Sequence, residues 1–251
     1  MAQAGSRRFV PSAHGFAFAN SWPPGPAVSV PLLIGSVGIG NAGRGLCGGM
    51  VFAALDYWHA GVAPPAVRPE AGTAVFRFVV RRLVASWHLP VGVVRYCRWM
   101  RLPDADVAEW TAGRQWLAVK ASIDAGVPAA LGVVTVASAS PLLLGANHQV
   151  LAYGYSIAGT EVTLRVYDPN SGPDDAVWIR FDTAGTSRPA GTAGRPAGAA
   201  FSHNLDLRRP VRGFFLTRYS PARPPHTPPR PPAAVSSRQP RGRRAAGTRS
   251  G

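Results

Sequence analysis

Near residue 127 the hydrophobic period of the chain changes, and that change limits the fold more than any single residue does. Upstream, apolar side chains recur at helical spacing; downstream they gather into short β-branched and aromatic runs separated by turn residues. The stretch "CGGMVFAALDYWHA" carries Met50, Ala53, Ala54, Tyr57 and Trp58 at helical spacing before Gly61, Pro64 and Pro65, so a buried, amphipathic helix is predicted from Cys47 to about Ala60. A second helix is predicted over 72–88, with Val75, Phe78, Val79, Leu83 and Trp87 as its apolar stripe. A third is predicted through 103–126, capped by Asp104 or Asp106, with Val107, Trp110, Trp116, Leu117, Val119 and Ile123 on or near one side. Five strands should follow, in "PAALGVVTVAS", "HQVLAYGYSI", "EVTLRVYDP", "AVWIRFD" and "VRGFFLTRYS". Helices first and strands afterwards is the segregated order of an α+β domain.

The flanks are of a different kind. Residues 1–34 read as a loop-rich segment punctuated by glycine and proline, with one strand possible at "AVSVPLLIG", residues 27–35. Residues 35–220 are expected to form the domain, interrupted at 184–200 by the low-complexity loop "AGTSRPAGTAGRPAGAA". Residues 221–251, rich in Pro, Arg, Ser and Gly, lack the apolar groups needed to offset ordering entropy, so a disordered tail is expected. Of the formal net charge of +15, eight arginines between residues 218 and 251, unopposed by any acid there, supply more than half. Such a tail can touch anionic surfaces weakly by counterion release, but with few aromatic side chains to stack it does not argue for specific nucleic-acid binding. Arginine outnumbers lysine 26 to one, a skew that a GC-rich coding sequence explains without invoking a ligand.

Two cysteines, Cys47 and Cys97, are too few for a disulfide scaffold. No apolar run has the length of a signal peptide or a membrane span, so a soluble, cytoplasmic protein is the default expectation, with export that needs no cleaved signal left open.

Cys47 stands between glycines at a predicted helix start. Unpaired N–H groups and the helix dipole stabilise a thiolate there, and Gly45, Gly48 and Gly49 would leave backbone bare for a substrate carbonyl. The competing reading is a buried thiol whose glycine neighbours only let helices pack closely. Two residues downstream bear on the choice. In "GANHQVLAYGY" His148 opens a predicted strand; in "LRVYDPN" Asp168 ends the next one, where Pro169 stops the ladder. A hairpin through "SIAGT" would bring both to one end, so that the carboxylate could orient the imidazole. Cysteine, histidine and carboxylate so arranged are what a thiol hydrolase requires.

These residues resemble the papain-like cysteine peptidases, and among them the bacterial branch that removes double-glycine leaders from bacteriocins. "NHQVLAYGY" and "VYDPNSG" are similar to that family's histidine strand and its Asp-Pro strand end, and "DAGVPAALGVV" to the segment leading into them. Asn41, six residues before Cys47, stands where the family places its oxyanion-hole glutamine, with a side chain one methylene shorter. The Gly-Gly-Met after the cysteine departs from the aromatic residue that papain and the cathepsins carry there. The resemblance covers about residues 35–182. It implies a papain-like α+β fold, a helical half with a central nucleophile helix packed on an antiparallel sheet half, with the cleft between them. It also implies a Cys47–His148–Asp168 triad, an oxyanion hole from Asn41 and the Cys47 N–H, and a peptide or protein substrate, with neither cofactor nor metal.

The alternative of a different class is a papain-like module without catalysis, which captures a peptide in the same cleft. Other chemistries find less support. Asp168, Asn170, Asp174 and Asp175 are spaced like part of a calcium loop, but Ile179 occupies the place of its bidentate glutamate. The remaining histidines have no zinc spacing, and "GSVGIGNAGRG" lacks the Lys-Ser/Thr ending of a phosphate loop. Cys97, with no histidine in a matching place, reads as a partly buried thiol, and Trp87, Trp99, Trp110 and Trp116 as packing residues.

Overall fold

A computed structural model describes residues 8–22, 28–31, 36–39, 45–184 and 200–225. Helix α1 (Pro11–His14) is followed by strands β1 (Val28–Pro31) and β2 (Ser36–Ile39), which pair antiparallel. Then come α2 (Cys47–Ala60), α3 (Ala74–Ser86), α4 (Val91–Arg101) and α5 (Asp104–Trp110). A π-helical turn over Thr111–Gln115 joins α5 to α6 (Trp116–Asp124). The strands are β3 (Ala129–Val134), β4 (His148–Ala158), β5 (Glu161–Tyr167), β6 (Trp178–Asp182), β7 (Phe201–His203) and β8 (Gly213–Leu216), with a 3-10 turn over Pro141–Ala146 before β4. These six form one antiparallel sheet in the order β7-β6-β5-β4-β3-β8. Helices followed by an antiparallel sheet make the domain α+β.

Both faces of the central strands are covered, which explains why β3 is buried along its whole length rather than alternating. On one face Ala130, Leu151 and Tyr167, neighbours across the ladder, pack with Met50, Val51, Ala54 and Leu55 of α2. On the other, Leu131, Val133, Val150, Val166 and Phe214 pack with Trp116 and Val119 of α6 and Ala112 of the π turn. A third cluster joins Tyr96, Trp99 and Met100 of α4 to Val134 and Phe215. Each such large apolar side chain withdrawn from water stabilises the fold by about 1.5–3 kcal/mol.

Helix α2 has the predicted bounds but not the predicted character. Gly48 through Tyr57 are all buried, so it is a central helix wrapped on every side rather than an amphipathic one. Its cover comes partly from segments expected to lie outside the domain. Phe9, Phe16 and Trp22 of the N-terminal segment are buried in the α2 cluster. At the other end Asp56, itself buried on α2, accepts from Tyr219 Oη (2.7 Å) and the Ala222 N–H (2.8 Å), and pairs with Arg82 Nε at 2.6 Å. Ala222 and Pro225, which composition assigns to the tail, thus bond to α2; residues 226–251, and 185–199 of the low-complexity loop, lie outside the described residues.

Helix α3 starts where Thr73 Oγ1 accepts from the Phe76 N–H at 3.2 Å, an N-cap. The third predicted helix is instead two helices and a π turn. Thr111 bonds back to the Val107 carbonyl (2.8 Å) and accepts from the Phe214 N–H (3.1 Å) on β8, a tertiary demand that widens the helix there. Neither Asp104 nor Asp106 caps α5: Pro103 is its N-cap, and Asp104 pairs with Arg212 Nε at 2.5 Å. Leu117, expected on the packed side, is 62 % exposed, because Trp116 and Val119 take the inward positions. Among the described residues no helix is long and apolar enough to cross a membrane.

Candidate active site

The chain enters α2 through Gly45, whose φ of +90° is a left-handed conformation that a side chain would strain. A Cβ at that position would also lie 2.5 Å from Asn20 Nδ2. Leu46 is the N-cap, and its N–H donates to Asn20 Oδ1 at 2.7 Å. Cys47 is thus the first helical residue and is partly buried. Gly48 and Gly49 have another task than baring the backbone to substrate. A Cβ on Gly48 would collide with Ser86 Oγ and come within 2.7 Å of the Gln149 carboxamide, and one on Gly49 would collide with the Val79 carbonyl. Both glycines let α2 approach α3 and β4, so the close-packing reading applies to them, while Gly45 lines the cleft.

Strand β4 begins at His148 because Asn147 holds the chain there: its Oδ1 accepts from the N–H groups of Thr135 (3.1 Å) and Val136 (3.3 Å). The His148 carbonyl accepts from Tyr96 Oη at 3.1 Å, so the backbone is held as well. The β4–β5 register pairs Leu151 with Tyr167; continued by one residue, it sets Asp168 on the same face as His148 and near the same end. His148 Nε2 and Asp168 Oδ1 are 2.7 Å apart, with side-chain exposures of 5 % and 0 %. The same Oδ1 accepts from the Asn170 N–H at 2.9 Å, and Oδ2 accepts from the Asp206 N–H at 3.2 Å. The carboxylate cannot turn away without leaving several donors unpaired.

With Nε2 engaged by Asp168, Nδ1 is the ring nitrogen left for Cys47, whose thiol lies close enough to the imidazole to feel its charge. Burial pushes the Cys47 pKa up. His148, through its charge and its ring beside the sulfur, and the backbone of Gln149 and Gly48 outweigh burial, so the net shift is downward. Burial likewise favours neutral His148, but the negative charges of Asp168 and Cys47 and their hydrogen bonds raise it to about 10. Asp168 is pushed up by burial and pulled further down by His148 and the backbone donors, so it remains a carboxylate. The lowered thiol and the raised imidazole both favour a thiolate–imidazolium pair, braced by a carboxylate.

The sequence-predicted Cys47, His148 and Asp168 are brought together; Asn41, the expected side-chain donor of an oxyanion hole, lies outside the described residues. Sequence reasoning missed Asn20, Asn170 and Asp206. The contacts that join them span 26 to 150 residues of chain, and "FANSW" carries no local signal for Asn20. A cleft of about 710 Å³ opens on Cys47 and His148, lined also by Asn20, by Leu142 and Leu143 of the 3-10 turn, and by Arg208 and Arg209.

The carboxylates that resemble part of a calcium loop are turned to separate partners. Asp168 serves His148, Asp174 accepts from the Ala176 N–H, and Asp175 receives both the N–H and the hydroxyl of Ser12. Among the described residues no group of three His, Cys, Asp or Glu side chains has the geometry to hold a metal ion. Compared with family models, curated proteins and solved structures, the chain matches none.

Proposed function

We propose that this protein is a papain-like thiol hydrolase that cleaves amide bonds, most directly those of a peptide or protein. One observation carries the reading: a thiol at a helix start and an imidazole line one open cleft, and a buried carboxylate behind them is hydrogen-bonded to that imidazole.

In this reading the Cys47 thiolate attacks the carbonyl carbon, and the π pair moves onto oxygen, where the Cys47 N–H and the Asn41 carboxamide are the assigned donors. Collapse of that intermediate breaks the C–N bond, and His148 gives its proton to the departing amine. The neutral imidazole then takes a proton from water as the oxygen attacks the thioester; the thiolate leaves and the imidazolium re-forms. Asp168 keeps its negative charge throughout and holds the ring in register. The net reaction is water plus amide to acid plus amine, with every proton passing through His148.

The test is turnover and trapping. Incubating the full chain with a mixed-sequence peptide library should release new termini detectable by mass spectrometry. Brief acid quench should leave an acyl adduct on the peptide containing Cys47, and Cys47→Ala protein should show neither. Peptide retention without cleavage, equal in Cys47→Ala protein, would replace the hydrolase by the noncatalytic peptide-capturing module.

A further inference from the structure

The candidate triad draws its members from two bodies, the start of α2 and the β4–β5 end of the sheet. What keeps those bodies in register is a separate matter from the chemistry of the three residues, and one side chain stands at the junction. Asn20 Oδ1 accepts from the Leu46 N–H, immediately before Cys47, at 2.7 Å, and from Trp22 Nε1 at 3.0 Å. Two N–H donors converging on one atom identify it as the amide oxygen, which settles the orientation of the carboxamide. Asn20 Nδ2 is then directed to Asn170 Oδ1, at 3.0 Å, while the Asn20 backbone N–H donates to the Pro169 carbonyl at 2.8 Å. Asn170 in turn donates its own N–H to Asp168 Oδ1 and its Nδ2 to the Asp206 carbonyl, and the Asp206 N–H returns to Asp168 Oδ2. A continuous hydrogen-bonded path therefore runs from the residue before the nucleophile to both oxygens of the carboxylate.

We infer that Asn20 is a positioning residue: through Asn170 it clasps the N-cap of the Cys47 helix to the Asp168 loop, and so holds the thiol within reach of the imidazole. The inference rests on the thiol–imidazole reading given above. Its physical basis is that Cys47 opens α2 and His148 opens β4, both on one cleft, so the distance between thiol and imidazole follows the relative placement of those two elements. Gly45 belongs to the same device. With its backbone at φ +90° and no Cβ, it admits the Asn20 carboxamide against the loop that leads into α2. An amide accepts at Leu46 through its oxygen and donates at Asn170 through its nitrogen, two separate atoms. Aspartate at position 20 would oppose oxygen to oxygen at Asn170.

The experiment is the pH dependence of Cys47 alkylation by iodoacetamide in full-length protein carrying Cys97→Ala. Four versions are compared: Asn20 and Asn170 intact, Asn20→Ala, Asn170→Ala, and both together. Thermal unfolding is recorded in parallel. With both residues intact the rate should rise well below the ordinary thiol pKa. Asn20→Ala should move that inflection up by about one unit, a tenfold loss of thiolate below it, and Asn170→Ala should move it in the same direction. The double variant should move it no further than Asn20→Ala alone, because both cut one path. A residue that only supports its loop would lower the melting temperature and leave the inflection in place. That result, or shifts that simply add, overturns the clasp while the low inflection of the intact protein preserves the thiol–imidazole reading. An intact protein whose alkylation rises only near pH 8.5 overturns both.

Discussion

Replacing Asp168 by asparagine changes charge with almost no change of shape, and so isolates what the carboxylate does electrostatically. His148 Nε2 lies 2.7 Å from Asp168 Oδ1 in a buried setting, and the ring is raised to about 10 by Asp168 and Cys47 against the opposing effect of burial. An opposite charge at this range is worth about one to three pKa units, or about 1.4–4 kcal/mol of preference for the imidazolium. Asp168→Asn should therefore lower the His148 pKa by about that much from its value of about 10. The sign for stability follows from the same shift. A histidine raised on folding contributes fully below its ordinary value of about 6.5 and loses that contribution as pH rises through the folded value. In the variant the loss should begin at the same pH and be complete at a correspondingly lower one. The assay is ring NMR of ¹³C-histidine protein, with His148 distinguished from the other five histidines by a His148→Gln control. Asparagine also sets an NH₂ against the Asp206 N–H or the His148 ring, an unmade bond worth about 1–3 kcal/mol. Urea unfolding reads that cost separately from the titration. A His148 that titrates at the same pH in parent and variant would refute the electrostatic role assigned to Asp168.

Three further outcomes follow from the packing. Gly48→Ala drives a methyl into Ser86 Oγ and the Gln149 carboxamide and should destabilise the fold by about 1–3 kcal/mol in urea titration; a neutral result would mean that α3 yields freely. Asp56→Ala leaves Arg82 buried without its carboxylate and frees Tyr219 and Ala222, so a loss of about 3–5 kcal/mol is expected. Limited proteolysis should then also cut after Arg218, and unchanged resistance there would contradict the anchoring of residues 218–225. Thr73→Ala removes the α3 cap at a cost of about 1 kcal/mol without altering Cys47 alkylation.

The strands were legible because alternation survives in β5 and β6, and because turn residues separate each run from the next. Helix α4 was not: "VGVVRYCRWMR" begins with glycine and β-branched residues, and its helicity depends on packing Tyr96, Trp99 and Met100 against β3 and β8. The π turn was invisible for a related reason, since Thr111 answers to Phe214, 103 residues away. Strand β7 has only three residues, after a low-complexity stretch, too few to show a period. The glycines around Cys47 left two explanations open and divide between them, because nothing local distinguishes a backbone bared to the cleft from one pressed against α3. Within the candidate site, Cys47, His148 and Asp168 could be picked out because each sits at the end of an element with a recognisable boundary. Asn20 could not, because its partners are defined only once α2 and the sheet have come together.

The most direct measurement is the rate of Cys47 alkylation by iodoacetamide against pH in Cys97→Ala protein, with and without His148→Ala. The thiolate–imidazolium account predicts rapid labelling that persists well below the ordinary thiol range and moves up toward it when His148 is removed. Labelling that rises only near pH 8.5 and is indifferent to His148 would contradict it.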